Sequence, residues 1–464
     1  MVKIILGILL SVFIVVSTVM ILYWRDVKHD PTASDFWIYL GLLPFGISLV
    51  FLVPYLVRKW YVHYKESKKN QEKKSDEVQD SHQNESKQDV EYIRLNVFNS
   101  SLKSAFGEND GIFSKLLEQP GAELDQELVN AYGLSILSHR IADIEELDEE
   151  TDYTLQTRIE ILLEQQLSQN IDILVAIAEH LKRSAMFYDS QLAYEYRMHP
   201  AWIDPDAATD DEDVSVTAEQ VLRLNFINVH IVLADTLLHV WDEFSSDTLV
   251  GEFLDKLGIL RQQVKIEYHY WGEEIAYREW FNVLKQINDQ TEQVSLILAA
   301  DSEIHQETLD DRSWITEKYV PAEFVGSCCI SSPVVDIEHL EKNKVIDIAF
   351  NENNLTNTLK HLNLYELPEY ELENPFVILA DDMTQSKVVK QVAANFESSP
   401  IEQHHYLYSR NSLGNTQHLS KIYGFLLGLH IPEDKYGLVY STTLPYTQVL
   451  INPYFHADEP TTDL

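Results

Sequence analysis

A chain of 464 residues with 74 acidic against 35 basic side chains carries a formal charge of −39, and its 45% of hydrophobic residues can supply a large core. A body this acidic is a poor partner for nucleic acid, whose phosphates it would repel. The two cysteines, Cys328 and Cys329, are adjacent. That spacing strains a disulfide, and two unpaired thiols fit a reducing compartment.

The chain begins with two apolar segments, Ile4–Tyr23 and Phe36–Val57. Each is about 20 residues long and uncharged, which suits the hydrocarbon core of a bilayer. They predict a hairpin of two transmembrane helices within residues 1–60, with Trp24, Trp37 and Trp60 at the interfaces. No small-residue cleavage site follows the first segment, so a signal peptide is not expected. Arg58, Lys59, Lys65, Lys68, Lys69, Lys73 and Lys74 follow the second segment, against Arg25 and Lys28 in the connecting loop. By the positive-inside rule both termini are expected in the cytoplasm.

Residues 61–91 are charged and nearly free of aliphatic side chains, as a flexible linker would be. Residues 1–90 hold 11 basic and 10 acidic side chains, leaving 24 and 64 beyond them, so the acidity belongs to the globular part. That part is read as a mixed α/β portion, 92–260, followed by a second α/β portion, 261–464.

Strands are predicted over Tyr92–Phe98 and Val129–Ser138. From Thr157 to Met186 the apolar residues follow a 3.6 period and predict one long helix. His199–Val214 is an acidic loop whose spacing does not match a calcium-binding EF-hand. Val216–Trp241 reads as helical, with His230 and His239 as packed or half-exposed residues. Tyr277–Asn288 predicts an amphipathic helix feeding the strand Val294–Ala300, after which Asp301 is expected to be a cap or turn residue. Phe324–Ser331 predicts a core strand that turns Cys328 and Cys329 to opposite faces. Leu355–Leu362 and Gln385–Phe396 predict helices around the strand Phe376–Ala380, which runs into Asp381 and Asp382. VSLILAAD and FVILADD are each a strand running into acid, which suggests an internal duplication.

The most informative stretch is Tyr408–Pro453. A turn-rich segment with Gly414 leads into helical spacing over His418–Leu429, where Gly424 and Gly428 imply close packing against a neighbour. Two β-rich runs, Tyr436–Ser441 and Thr447–Ile451, close the chain. This order resembles the end of the thiolase-like fold, as in β-ketoacyl synthases, over roughly residues 260–453. The resemblance implies a layered α/β sandwich with an internal duplication.

The reaction of that family needs a cysteine at a helix start and histidines that stabilise an oxyanion. Here the corresponding helix begins EEIAYREW, and no HGTGT-like stretch occurs. Asn415 follows Gly414 where the family has histidine, and His418 comes three residues later. No G-x-S-x-G elbow, P-loop, H-E-x-x-H or paired-cysteine zinc spacing is present, and His404–His405 is adjacent rather than i, i+4. The expectation is a fold kept and a reaction lost: no enzyme, no catalytic residue, no cofactor and no metal.

The layout also resembles the bacterial type VI lipase adaptor family, with an N-terminal membrane anchor and a large soluble body. That resemblance implies a non-catalytic adaptor at the bacterial inner membrane that hands a lipase effector to a secretion system. It also implies a periplasmic body, where the flanking charges favour the cytoplasm. The alternatives are a divergent thiolase-like acyltransferase working through Cys328, Cys329, Asn415 or His418, and a scaffold of an envelope complex. Trp202, Trp271 and Trp314 are candidate contact residues for a protein partner.

Overall fold

A computed structural model describes residues 89–118, 121–142, 144, 154–203, 221–313, 319–364, 376–381, 406–409, 418–433, 435–441 and 443–453, with single positions elsewhere. The apolar segments Ile4–Tyr23 and Phe36–Val57, the linker, Trp314, Asn415 and the helix expected over Gln385–Phe396 lie outside them, apart from single positions. Among the described residues no helix is long and apolar enough to cross a membrane. All elements below belong to the unit Asp89–Leu464.

In chain order they begin with strands β1 (Glu91–Ser104) and β2 (Gly107–Glu108) and helix α1 (Asp110–Glu118). Strands β3 (Glu123–Val129) and β4 (Ser135–Ser138) precede helices α2 (Leu155–Gln169), α3 (Ile171–Tyr188) and α4 (Ser190–Met198). There follow β5 (Phe226–Ala234), α5 (Glu243–Lys256), β6 (Val264–Trp271), α6 (Ala276–Asn288), β7 (Gln293–Ser302), α7 (Gln306–Ser313) and β8 (Glu323–Ser331). The remainder is β9 (Lys344–Phe350), α8 (Leu355–His361), β10 (Phe376–Ala380), β11 (Tyr406–Tyr408), α9 (Ser420–Gly428), β12 (Tyr436–Tyr440) and β13 (Gln448–Pro453).

This is a mixed α/β fold built on one large sheet. The strand order is β11-β10-β12-β13-β9-β1-β8-β7-β5-β6, with β2 paired to β1. The order is a repeat. Numbered within each half, β6-β5-β7-β8-β1 and β11-β10-β12-β13-β9 both read third, second, fourth, fifth, first. In both halves the second, third and fourth strands are parallel, and the fifth runs against its neighbours. The halves meet where β1 and β9 pair antiparallel, from Glu91 opposite Phe350 to Val97 opposite Lys344.

Helices cover both faces of the sheet. On one face α6 and α9 pack together over the middle of the sheet, contributing Trp280, Phe281, Leu284, Tyr423, Phe425 and Leu426 to one buried cluster. On the other face of the first half, α2, α3 and α5 bury Leu162, Leu163, Ile177 and Leu254 against β5 and β7. Helix α8 does the same for the second half through Leu355 and Leu359. The close packing expected of the glycines is found at Gly428, where a Cβ would stand 2.6 Å from Val439 Cγ2 and 2.7 Å from Ile451 Cδ1.

Four expectations are corrected. Val216–Trp241 holds a strand, β5, and not a helix. A parallel strand buried on both faces shows a continuous apolar run, which periodicity cannot separate from a buried helix. The helix over Thr157–Met186 is two helices broken at Asn170. There the amide Nδ2 donates to Gln166 O at 2.7 Å and to Ser327 Oγ at 2.8 Å, while Oδ1 accepts from Asn99 at 2.9 Å. Val129–Ser138 is strand only at its ends: Val129 closes β3, a turn with Gly133 at φ +73° follows, and Ser135–Ser138 is β4. Trp271 is buried and Trp202 half-buried, so neither is the exposed aromatic that the sequence suggests.

The duplication is real, but its matching strands differ from those read in the sequence. FVILA of β10 is the second strand of its half, and its counterpart is β5, FINVHIVLA, not β7. Each runs into an aspartate, Asp381 and Asp235 respectively.

Candidate functional site

In open α/β sheets ligands gather beyond the carboxyl ends of parallel strands, where chain direction switches. Three such ends lie together here. Strand β5 runs into Asp235, β6 into Gly272, and β7 ends on Asp301 and Ser302 before Glu303. The second half adds the turn before α9, with His418 and Leu419. The cluster is therefore assembled from both halves of the repeat.

Gly272 faces the Asp235 carboxylate so closely that a Cβ there would come within 2.5 Å of Oδ2. Asp235 Oδ1 in turn lies 2.9 Å from His418 Nδ1, although off the line of a good hydrogen bond, so that contact is chiefly electrostatic. Arg312 of α7 donates from Nη2 to His418 Nε2 at 2.7 Å. A guanidinium can only donate, so Nε2 accepts and the ring proton sits on Nδ1, beside the carboxylate. The same Arg312 nitrogen is 3.8 Å from Glu303 Oε1, and the Tyr319 hydroxyl donates to Glu303 Oε2 at 2.9 Å.

Beneath this layer the buried Asp301 Oδ2 accepts the backbone N–H of Leu419 at 3.0 Å, at the start of α9. The capping role expected of Asp301 is thus found, though it caps a helix of the other half. Burial raises the Asp301 pKa, opposed by His418, the Leu419 N–H and Arg312. Burial and the neighbouring Asp301 push Glu303 up to about 8. Exposure grades across the site, from Asp235 at 49% through Arg312 at 25% and His418 at 14% to Glu303 at 3%. Such a gradient gives solvent-facing groups that meet a substrate and buried groups that hold protons.

The Glu303 shift has a measurable sign. Its unfolded form releases a proton near 4.5 and its folded form near 8, so between those values the folded chain binds the extra proton. Stability then falls as pH rises through that window and levels off above it. Glu303→Gln should flatten this part of the pH profile of thermal unfolding and raise stability at pH 8 relative to the parent. An unchanged profile would remove Glu303 as the titrating group.

Of the residues that the sequence offered, His418 lies in this cluster. Cys328 and Cys329 do not. They project into separate cores on the two faces of β8, both fully buried, and burial raises both thiols, Cys329 to about 12. A thiolate nucleophile at either position is closed off. Asp235, Glu303, Arg312 and Tyr319 went unnoticed in the sequence. Asp235 carried a usable signal, an apolar strand running into acid, but lay in a stretch read as helix. Arg312 sits in a polar segment with no pattern at all. A cleft of about 410 Å³ opens elsewhere, at the β1–β9 seam between Tyr92, Arg94, Asp347 and His361. Its charges are already paired, Arg94 Nε to Asp347 Oδ1 at 2.7 Å, and the His361 ring is stacked on Tyr92.

The chain matches no protein-family model, and no curated protein is similar to it. Solved structures are similar in fold. One is the ketosynthase from module 6 of the bacillaene synthase of Bacillus subtilis 168, at 8% identity, covering 78% of this chain and 72% of that one, with a TM-score of 0.44. Another is the ketosynthase from module 1 of the bacillaene synthase of Bacillus amyloliquefaciens FZB42, at 9% identity, 79% and 74% coverage and a TM-score of 0.40. Ketosynthase twelve of the bacillaene polyketide synthase in Bacillus amyloliquefaciens gives 10% identity, 79% and 76% coverage and a TM-score of 0.39. All three are ketosynthases, and on that finding the expectation that this chain is not an enzyme is withdrawn. At 8–10% identity the likeness is one of fold alone.

Proposed function

We propose that the chain is a divergent thiolase-like protein that acts on an acyl group by proton transfer, without a covalent cysteine intermediate. The thiolase-like assignment is supported by the strand order repeated in the two halves, since that family carries an internal duplication. The observation that carries the chemistry is His418, held between Asp235 and the Arg312 guanidinium at 2.9 and 2.7 Å. With Nε2 held by Arg312 and the ring proton on Nδ1, His418 can deliver a proton, and the half-exposed Asp235 carboxylate beside it is the group that can take one from a carbon next to a carbonyl. Arg312 supplies positive charge for the oxygen on which negative charge would develop. Glu303, protonated below about pH 8, holds a further proton beside the same guanidinium. We place this body at a membrane, on the strength of the apolar segments Ile4–Tyr23 and Phe36–Val57.

The test is deuterium exchange at the α-carbon of acetoacetyl-coenzyme A in heavy water, followed by mass spectrometry, with the full-length protein. The parent should exchange above buffer. His418→Ala and Arg312→Ala should each lower that rate by about 10²–10⁴-fold, the usual contribution of a positioned acid or base. Cys329→Ser should leave it unchanged. A parent that exchanges no faster than buffer, or a His418→Ala protein with full activity, would overturn the proposal.

A further inference from the structure

A second group of side chains lies away from this cluster, in the middle of β5 and β6. These strands run parallel, with His230 opposite Glu267 and Val232 opposite His269. Partners in register project to one face, and residues two apart on a strand share it, so His230, Glu267 and His269 stand side by side. His230 Nδ1 is 3.1 Å from His269 Nε2 and 3.6 Å from Glu267 Oε2. One ligand atom from each residue lies within 4.8 Å of the other two.

We propose that His230, Glu267 and His269 form a binding site for a divalent transition-metal ion of the zinc class. Two nitrogens bound at about 2.0–2.1 Å lie about 3.0 Å apart at a right angle and about 3.3 Å apart in a tetrahedron. The observed separation falls in that interval. Two imidazoles and one carboxylate, with remaining positions open, are a set that zinc and ferrous sites both use. The ladder between β5 and β6 fixes the backbone of all three residues, so little ordering is left for the ion to impose.

The His230 side chain is 4% exposed, so its Nδ1 would meet an ion in a largely dry setting beside the half-exposed Glu267. Lys265, two residues before Glu267, is the opposing charge; Glu267, half exposed, supplies the offsetting negative charge and the route of entry. The Trp271 ring lies 5.1 Å from that of His269.

The experiment uses the full-length chain stripped with a chelator and dialysed against zinc chloride, with cobalt(II) as the spectroscopic substitute. One tight equivalent of zinc and visible cobalt bands are expected, with a rise in melting temperature on zinc addition. Glu267→Gln and His269→Gln, both at positions that are not fully buried, should each weaken binding by more than the roughly 10–100-fold that loss of an outer-shell partner costs. They should also abolish the melting shift. Absence of a stoichiometric site in the parent, or tight binding that both variants retain, would overturn the proposal in favour of a hydrogen-bonded histidine pair.

Discussion

Arg158→Ala is expected to destabilise the chain by about 3–5 kcal/mol, the usual cost of breaking a buried ion pair from one side. Arg158 is 3% exposed and Glu323 fully buried. The guanidinium reaches Glu323 Oε2 from Nε at 2.7 Å and Oε1 from Nη2 at 2.5 Å. The carboxylate also accepts the Ile141 N–H at 2.7 Å and the Ser302 hydroxyl at 2.9 Å, while Arg158 donates to Ile141 O at 3.2 Å. Removing the cation leaves a carboxylate with no charge partner in a dry interior, and that penalty dominates the lost attraction. The double variant Arg158→Leu/Glu323→Leu should recover most of the loss, because it removes both charges and fills much of the volume. Urea midpoints at constant m-value measure this directly. A single variant within 1 kcal/mol of the parent would show that water reaches Glu323. The pair also bears on the candidate site, since Ser302 closes β7 one residue beyond Asp301. Loosening α2 from β7 and β8 should therefore lower activity as well as stability.

The parts of this fold that were legible in the sequence are those whose local pattern agrees with their surroundings. Helix α6 has Trp280, Phe281, Leu284 and Ile287 buried along one side and Arg278, Glu279 and Lys285 outside, so its period is plain. Strands β7 and β8 are short apolar runs between polar turns. Strand β5 has the same composition but sits between longer apolar flanks, and nothing local separates it from a helix. Strand β6, VKIEYHYW, failed for the opposite reason. It ends the sheet, so its charged and aromatic residues alternate and the stretch resembles no buried strand. The break at Asn170 depends on Ser327, a residue 157 positions away. Such a break has no signal in the helix itself.

The candidate site was less legible than the fold. Its members come from five separate segments: Asp235, Asp301 with Glu303, Arg312, Tyr319 and His418. None stands in a spacing that announces chemistry. What joins them is the strand order, and the order became readable only once β5 and β6 were both counted as strands. The condensing-enzyme pattern has a cysteine at the start of the helix corresponding to α6 and a histidine directly after the loop glycine. Here Asp235 faces Gly272 just before α6, and the imidazole of the site comes from His418.

Trp280→Ala is the second large expected effect, because Trp280 joins the repeated halves. Helices α6 and α9 each follow the third strand of their own half, and they pack against one another. Trp280 is fully buried at that contact, with its ring centroid 5.2 Å from Phe425 at an interplanar angle of 69°. Phe281 extends the stack to Phe350 at 5.6 Å. Deleting the indole removes a large apolar volume from a cluster with little room to collapse, which costs about 3–5 kcal/mol. Trp280 Nε1 has no hydrogen-bond partner among the described residues. Trp280→Phe therefore loses less than volume alone suggests, because it also removes a buried, unsatisfied donor worth about 1–3 kcal/mol. The alanine variant should fall well below the parent in thermal unfolding and the phenylalanine variant should stay close to it. Because α9 starts at the Leu419 amide that Asp301 accepts, the alanine variant should also lower proton exchange, by shifting His418 rather than by removing it. Equal stability of the two variants would mean that the α6–α9 contact is held by the backbone path and not by this ring.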